Sequence, residues 1–114
     1  MSKRGNKEYL NDILECIERI LHYTKDMSYT EFENNELVQD AVIRNIEIIG
    51  EATKNLADQF LEKYPNINWS DIAQTRDKVI HHYFGVNLEI IWDIISEELT
   101  DLHTSLKKIL KDLK

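Results

Sequence analysis

The sequence predicts an all-α protein, an up-and-down bundle of four to five helices. Apolar residues recur at helical spacing along most of the 114 residues, and no segment shows the alternation of a half-buried strand. The chain contains only three glycines and one proline, a composition that favours helices over strands and turns. A chain of this length is expected to form a single domain, residues 1–114, with a modest core.

The first helix is predicted over residues 6–24, where apolar side chains form a broad stripe on one face. A short second helix or turn should follow it. Ser28 or Thr30 can cap that element, because each is followed three residues later by a glutamate, as in a capping box.

The longest helical pattern covers residues 36–62 and must end near Pro65, because proline cannot continue a helix. Gly50 lies inside this pattern, where glycine costs about 1 kcal/mol relative to alanine. We therefore expect a neighbouring helix to approach closely at this position.

A further helix is predicted after Asn68 or Ser70, running through SDIAQTRDKVIHHYF and ending near Gly85. Asn87 can then cap the last helix. Apolar residues of the last helix alternate steps of three and four, which predicts a bundle seam of about seven turns. They are Leu88, Ile91, Ile95, Leu99, Leu102, Leu106, Ile109 and Leu113.

The chain carries a formal net charge of −7. This balance counts against broad, tight binding to nucleic-acid backbones, which usually requires a basic protein. Residues 63–86 are nevertheless locally cationic, with Lys63, Arg76 and Lys78 against two aspartates. The acidic remainder would also suit a basic protein partner.

No segment is long and apolar enough for a membrane span or a signal peptide, so we expect a cytoplasmic protein without a membrane partner. Cys16 is the single cysteine, which excludes an internal disulfide and a cysteine-based zinc site. Its apolar neighbours predict a small core residue.

Residues 76–83 read RDKVIHHY and gather an arginine, two histidines and a tyrosine. Histidine titrates near neutral pH and transfers protons in both directions, whereas arginine binds phosphate through a planar fork of donors. His81 could therefore take the proton of a ribose 2′-hydroxyl or protonate the leaving oxygen, and Arg76 could stabilise the extra charge on phosphorus. Such RNA cleavage needs no metal or cofactor, and it distinguishes RNA from DNA.

Arg76 and His81 point about 140° apart on an ideal helix. They can converge if the arginine wraps round an irregular helix start, or if two copies of the helix meet at a dimer axis. We favour a composite cleft in a symmetric homodimer, assisted by the first route. Asp77 shares a helix face with His81, so these two could orient each other.

Three charged residues, Arg44, Glu47 and Glu51, share one face of the long helix at spacings i, i+3 and i+7. They could form an intrahelical salt bridge worth about 0.2–0.5 kcal/mol. Alternatively, this polar face could pack against the motif helix, with one of the glutamates orienting Arg76 or His81. The spacing leaves both interpretations open.

The other histidines point to no metal site. His22 and His103 stand alone on polar faces, and we expect both to be solvated. Adjacent helical residues such as His81 and His82 point about 100° apart and are poorly placed to chelate one ion.

RDKVIHHY fits the pattern R-x-x-x-x-H-x-Y, and in this the chain resembles the HepT-like toxins of the HEPN superfamily. The resemblance covers nearly the whole chain. QDAVIRNIEIIGEATKNL is similar to the central helix of that family, and YLNDILECIERI to its first helix. YPNINWSDIAQTRDKVIHHYFGVNLEIIWDII is similar to its motif helix and last helix.

The resemblance implies an all-helical homodimeric ribonuclease, the toxin of a type VII toxin–antitoxin module. Arg76 and His81 match the active-site pair of the family, and Asp77 matches the polar residue that commonly follows the arginine. Tyr83 matches the tyrosine that the cognate antitoxin, a minimal nucleotidyltransferase, modifies with AMP units taken from ATP. His82 falls on an unspecified position.

Two other interpretations of the sequence remain open. The chain could be a non-catalytic helical module that binds RNA or a nucleotide and partners a nucleotidyltransferase. It could also be a partner subunit that only presents Tyr83 as a substrate, with RNA left intact in every state.

Overall fold

The computed structural model describes residues 4–79 and 87–113, and every regular element within these ranges is helical. The predicted all-α fold is therefore confirmed. The elements are α1 (Asn6–Tyr23), α2 (Tyr29–Glu33), α3 (Glu36–Lys54), α4 (Asp58–Glu62), α5 (Trp69–Ala73), α6 (Thr75–Val79), α7 (Leu88–Asp93), a π-helical segment (Ile94–Glu98) and α8 (Leu99–Asp112). No helix in these ranges is both long and apolar enough to cross a membrane.

One apolar core holds the long helices together, and it lies where α1 packs against α3 and α8. Leu10, Ile13 and Ile17 of α1 are fully buried there. Cys16 is also buried, as predicted. Burial of each such aliphatic side chain stabilises the folded state by about 1.5–3 kcal/mol relative to leaving it exposed. The buried face of α1 therefore contributes a large part of the stability of the core.

Local capping works largely as the sequence predicts. Ser28 begins α2 with a capping box, in which its hydroxyl accepts from the N–H of Glu31 at 3.1 Å. The Asn68 side chain caps α5, and the Asn87 side chain caps α7. The predicted end near Gly85 lies outside the described residues.

The long helix predicted over residues 36–62 is wrong in its extent, because α3 ends at Lys54 and α4 begins separately. Ala57 adopts an extended conformation, and its N–H donates to the Asn6 side chain at 3.0 Å. The start of α1 thus satisfies a backbone group that would otherwise continue the helix. After the turn, α4 places the Phe60 ring 6.0 Å from the Trp69 ring.

The prediction of a single motif helix is also wrong, because the helix is interrupted at Gln74, between α5 and α6. The break lies directly after a close approach between α5 and α3. A Cβ added at Gly50 would lie 3.2 Å from the backbone oxygen of Ala73, which confirms the close approach predicted at this glycine. As a result, Arg76 lies in the first turn of α6 rather than in the middle of a longer helix.

The seam of the last helix is interrupted by the π-helical segment, which the sequence did not predict. A π turn accommodates one extra residue within a helix. Here it buries Ile94 as well as Ile95. In the preceding helix, Trp92 packs against Tyr29 and Phe32 of α2 at ring distances of 6.1 and 5.3 Å.

His103 is not solvated as expected. Its Nε2 lies 2.8 Å from a carboxylate oxygen of Glu18, and its side chain is only 22% exposed. The packing of α8 against α1 explains the difference, because it brings together two residues that are 85 positions apart. His22 is exposed, as predicted.

Candidate active site

A polar cleft of about 390 Å³ opens between α1, α3 and α6. Its charged or aromatic lining residues are Tyr9, Asp12, Arg44, Glu47, Glu51 and Arg76. Apart from His81 and Tyr83, the sequence predicted five site residues, and four of them line this cleft: Arg44, Glu47 and Glu51 of α3, and Arg76 of α6. The cleft is therefore the part of the described structure that gathers the predicted polar residues.

Arg76 makes an ion pair with Glu47 that joins α6 to α3. Arg76 Nε donates to Glu47 Oε2 at 3.2 Å, and the side chains are 52% and 37% exposed. An exposed pair of this kind contributes at most about 1 kcal/mol to stability. Its main effect is to set the direction of the arginine, because Nε is held while the Nη groups extend beyond it.

Asp77 lies beside the same guanidinium but interacts with it weakly. Its Oδ1 is 3.7 Å from Arg76 Nη1, beyond hydrogen-bonding distance, and its side chain is 70% exposed. Asp77 therefore adds negative potential near Arg76 without fixing its orientation.

The α3 ladder does not form the intrahelical salt bridge that one interpretation of the sequence offered. Glu47 pairs with Arg76 of α6, and within residues 4–79 and 87–113 neither Arg44 nor Glu51 has an oppositely charged partner within 4.0 Å. The polar face of α3 is instead turned toward the cleft, where Glu47 meets Arg76.

The other two motif residues, His81 and Tyr83, lie outside the described residues, as does His82. The described chain on either side of them is brought together, since the N–H of Asn87 donates to the backbone oxygen of Val79 at 2.7 Å. Val79 is fully buried. Val79 of α6 and Asn87, the capping residue of α7, are therefore joined by a backbone hydrogen bond.

Sequence reasoning missed the contribution of α1 to the cleft. The half-buried ring of Tyr9 lines the opening. Asp12 forms an ion pair with Arg4, whose guanidinium carbon also lies 5.2 Å from the centre of the Tyr9 ring. No spacing pattern links these residues to the motif, because the contact depends on how α1 packs against α3.

Within residues 4–79 and 87–113, no three His, Cys, Asp or Glu side chains converge. The carboxylates of Asp12 and Glu47 each face an arginine instead. What the cleft offers chemically is a pair of guanidiniums, Arg44 and Arg76, beside an aromatic ring. Guanidiniums bind phosphate, and aromatic rings stack on bases.

The family model for "Ribonuclease HepT-like" proteins matches residues 13–109. The chain belongs to this family. The resemblance inferred from the motif and its flanking segments is thereby confirmed, and the match includes the long helices, the cleft residues of α3 and α6, and the motif itself.

Named relatives are similar over almost their whole length. "Putative RNase MJ0127" of Methanocaldococcus jannaschii is 45% identical over 100% of this chain and 94% of its own length. "Probable ribonuclease HepT" of Thermococcus cleftensis is 41% identical over 96% of this chain and 99% of its own. "Putative RNase TTE0752" of Caldanaerobacter subterraneus is 42% identical over 95% and 96%. No solved structure matches the chain.

Proposed function

We propose that this protein is a metal-independent endoribonuclease in which Arg76 and His81 are the catalytic pair. Family membership supports this assignment, as do the names of full-length relatives. The structural observation that carries it is the ion pair between Arg76 and Glu47, which holds the motif arginine at the edge of a polar cleft. An arginine needed only for stability would gain little from so exposed a pair.

The proposed reaction is attack of a ribose 2′-oxygen on the adjacent phosphorus. His81 accepts the 2′-hydroxyl proton or supplies a proton to the departing 5′-oxygen, whose bond to phosphorus breaks. Arg76 donates to the phosphate oxygens through its Nη groups while charge accumulates there. The products are a 2′,3′-cyclic phosphate and a 5′-hydroxyl end.

Glu47 acts in this scheme as a positioning residue, since it contacts Arg76 and not the substrate. A guanidinium held by Nε loses fewer orientations when it binds phosphate, so less entropy is lost on reaching the transition state. Asp77 supports the site through its charge, and Arg44 adds a second phosphate-binding group at the cleft.

The catalytic pair is completed in a homodimer in this proposal, with the motif helices of two copies forming one composite cleft. The basis is the divergence of Arg76 and His81 on an ideal helix, about 140°. Arg76 lies in the first turn of α6, which begins at Thr75.

Regulation is proposed to act on Tyr83. A cognate minimal nucleotidyltransferase antitoxin would transfer AMP from ATP to the tyrosine oxygen, with release of pyrophosphate. Each AMP adds bulk and a negative phosphate that can pair with Arg76 and exclude RNA. The protein would then be the toxin of a type VII module, acting on RNA in the cytoplasm.

The decisive experiment is RNA cleavage by the purified, unmodified protein in EDTA, beside His81→Ala and Arg76→Ala. We expect the parent to release fragments ending in a 2′,3′-cyclic phosphate, and each variant to lose about two or more orders of magnitude in rate. Equal activity in all three proteins would refute the assignment of the pair. RNA binding that persists without cleavage in the parent would instead support a non-catalytic binding module.

A further inference from the structure

The cleft beside Arg76 has the features of a binding site for a nucleobase. Catalysis by an arginine and a histidine does not by itself require such a site. It extends from Arg76 along α3 to the half-buried ring of Tyr9 on α1. Ile48 and Ala52 contribute apolar surface to its lining. A volume of about 390 Å³ falls at the small end of the range for ligand pockets, which suits one nucleotide.

Some charged side chains of the cleft are paired with an opposite charge, and others are not. Asp12 is paired with Arg4, and Glu47 is paired with Arg76. Among the described cleft residues, Glu51 is the carboxylate without a cation within 4.0 Å. Its exposed oxygens are therefore available as acceptors for a ligand.

Arg44 is likewise unpaired, because it has no carboxylate within 4.0 Å in the described part of the chain. It lies two helical turns from Glu51 on the same face of α3. Arginine on the rim of such a cleft binds a phosphate, while the carboxylate reads the edge of a base. The two side chains thus match the two ends of a nucleotide.

Tyr9 supplies the surface on which a base can stack. The Arg4 guanidinium lies over one face of the ring, 5.2 Å from its centre, and Arg4 does not line the cleft, so a base would stack on the opposite face. A cation against the ring and an ion pair from that cation to Asp12 both limit movement of the tyrosine. A ring held in this way loses little entropy when a base stacks on it.

We propose that the cleft binds an unpaired guanine next to the scissile phosphate, stacked on Tyr9 and read by Glu51, with Arg44 on a neighbouring phosphate. This inference rests on the proposed ribonuclease function and adds a base preference to it. Guanine presents N1–H and N2–H on one edge, and these two donors match the two oxygens of a carboxylate. Uracil presents carbonyl oxygens on either side of a single N–H, so the same carboxylate repels it.

The test uses oligonucleotides that are deoxy at every position except one, so that cleavage can occur at a single bond. One series varies the base on the ribonucleotide, and a second series varies the base that follows it. We expect one series to show kcat/KM for guanine at least about tenfold above that for uracil, as one bidentate base contact provides. Glu51→Gln should abolish most of this ratio, because an amide presents only one acceptor oxygen.

Glu62→Gln is the matched control, because Glu62 is an exposed glutamate on α4 outside the cleft. It removes the same charge and should leave the guanine-to-uracil ratio as in the parent. Tyr9→Leu should weaken binding of every base, since stacking does not depend on base identity. Circular dichroism of each variant checks that its helices are intact.

A second measurement separates this inference from the proposed function. Fluorescence anisotropy with 2′-O-methyl oligonucleotides, which cannot be cleaved, reports the guanine preference through binding alone. Guanine-selective binding that disappears in Glu51→Gln would support the base site even if the protein cleaves no RNA. Cleavage or binding without a guanine preference, a preference unchanged in Glu51→Gln, or no binding at all would overturn it.

Discussion

Arg76 Nε lies 3.2 Å from Glu47 Oε2, although the two residues are 29 positions apart in the sequence. This contact joins the first turn of α6 to the middle of α3. It holds the motif residue Arg76 at the edge of the cleft. The sequence motif alone does not specify this arrangement of side chains.

Glu47→Gln should lower kcat for RNA cleavage by about tenfold while changing KM little, because a misdirected Arg76 loses transition-state contacts more than binding. The free energy of unfolding should change by less than about 1 kcal/mol, as expected for an exposed pair. Steady-state kinetics and urea denaturation measure these two quantities.

Asp40→Asn is the control for that change, since Asp40 is an exposed acid on the same helix outside the cleft. An equal loss of kcat in both variants would mean that net charge, and not the position of Arg76, controls the rate.

Gly50→Ala should destabilise the protein by about 1 kcal/mol, although alanine is the better helix former. The new Cβ would lie 3.2 Å from the backbone oxygen of Ala73, and a backbone atom in a packed helix cannot easily move away. Gly5→Ala is a useful comparison, because there the Cβ would meet only the flexible Glu8 side chain. A gain of stability in Gly50→Ala, measured by urea denaturation, would contradict the proposed close packing.

The pair between Glu18 and His103 should contribute a coupling energy of about 0.2–1 kcal/mol between α1 and α8. A double-mutant cycle with Glu18→Ala and His103→Ala isolates this term from the separate effects of each truncation. Additive losses in the two single variants would show that the contact contributes nothing to stability.

Cys16 should react slowly with thiol reagents in the folded protein. Burial raises the pKa of its thiol above the ordinary value of 9.0, and the thiolate is the reactive form. Because the folded state holds the proton more tightly, the associated stability is present below the unfolded pKa and is lost as pH rises above it.

Disulfide exchange with a chromogenic reagent, measured at pH 8 with and without urea, tests this prediction. We expect the rate to follow the unfolded fraction. Rapid labelling of the folded protein at pH 8 would show that the thiol is accessible and contradict its place in the core.

Tyr83→Phe should cleave RNA when alone but resist inactivation by the proposed nucleotidyltransferase antitoxin. The ring is retained, whereas the oxygen that would accept AMP is lost. Intact-mass analysis after incubation with the antitoxin and ATP measures the modification, and an RNA assay measures the residual activity. AMP added equally to the variant would place the modification on another residue.

Local signals predicted much of the fold. The Ser28, Asn68 and Asn87 caps act between residues close in the chain, so their side chains reveal where helices begin. Gly50 likewise indicated a close approach of helices because its side chain is missing. The motif and its flanking segments were sufficient to identify the family.

The breaks within helices could not be predicted in the same way. The turn after α3 depends on a hydrogen bond from Ala57 to Asn6, which lies 51 positions away in the sequence. At Gln74 and in the π-helical segment, the flanking residues continue a helical pattern, and packing against neighbouring elements selects the interruption.

By itself, the sequence determined the helical class, most of the caps, the family and the candidate residues Arg76, His81 and Tyr83. Only the tertiary structure decided that Glu47 rather than Glu51 meets Arg76, and that Tyr9 lines the same cleft. Helical periodicity and capping depend on residues close together in the chain, so they can be recognised directly in the sequence. Which faces meet depends on the packing of α1 and α6 against α3, which all the buried side chains determine together.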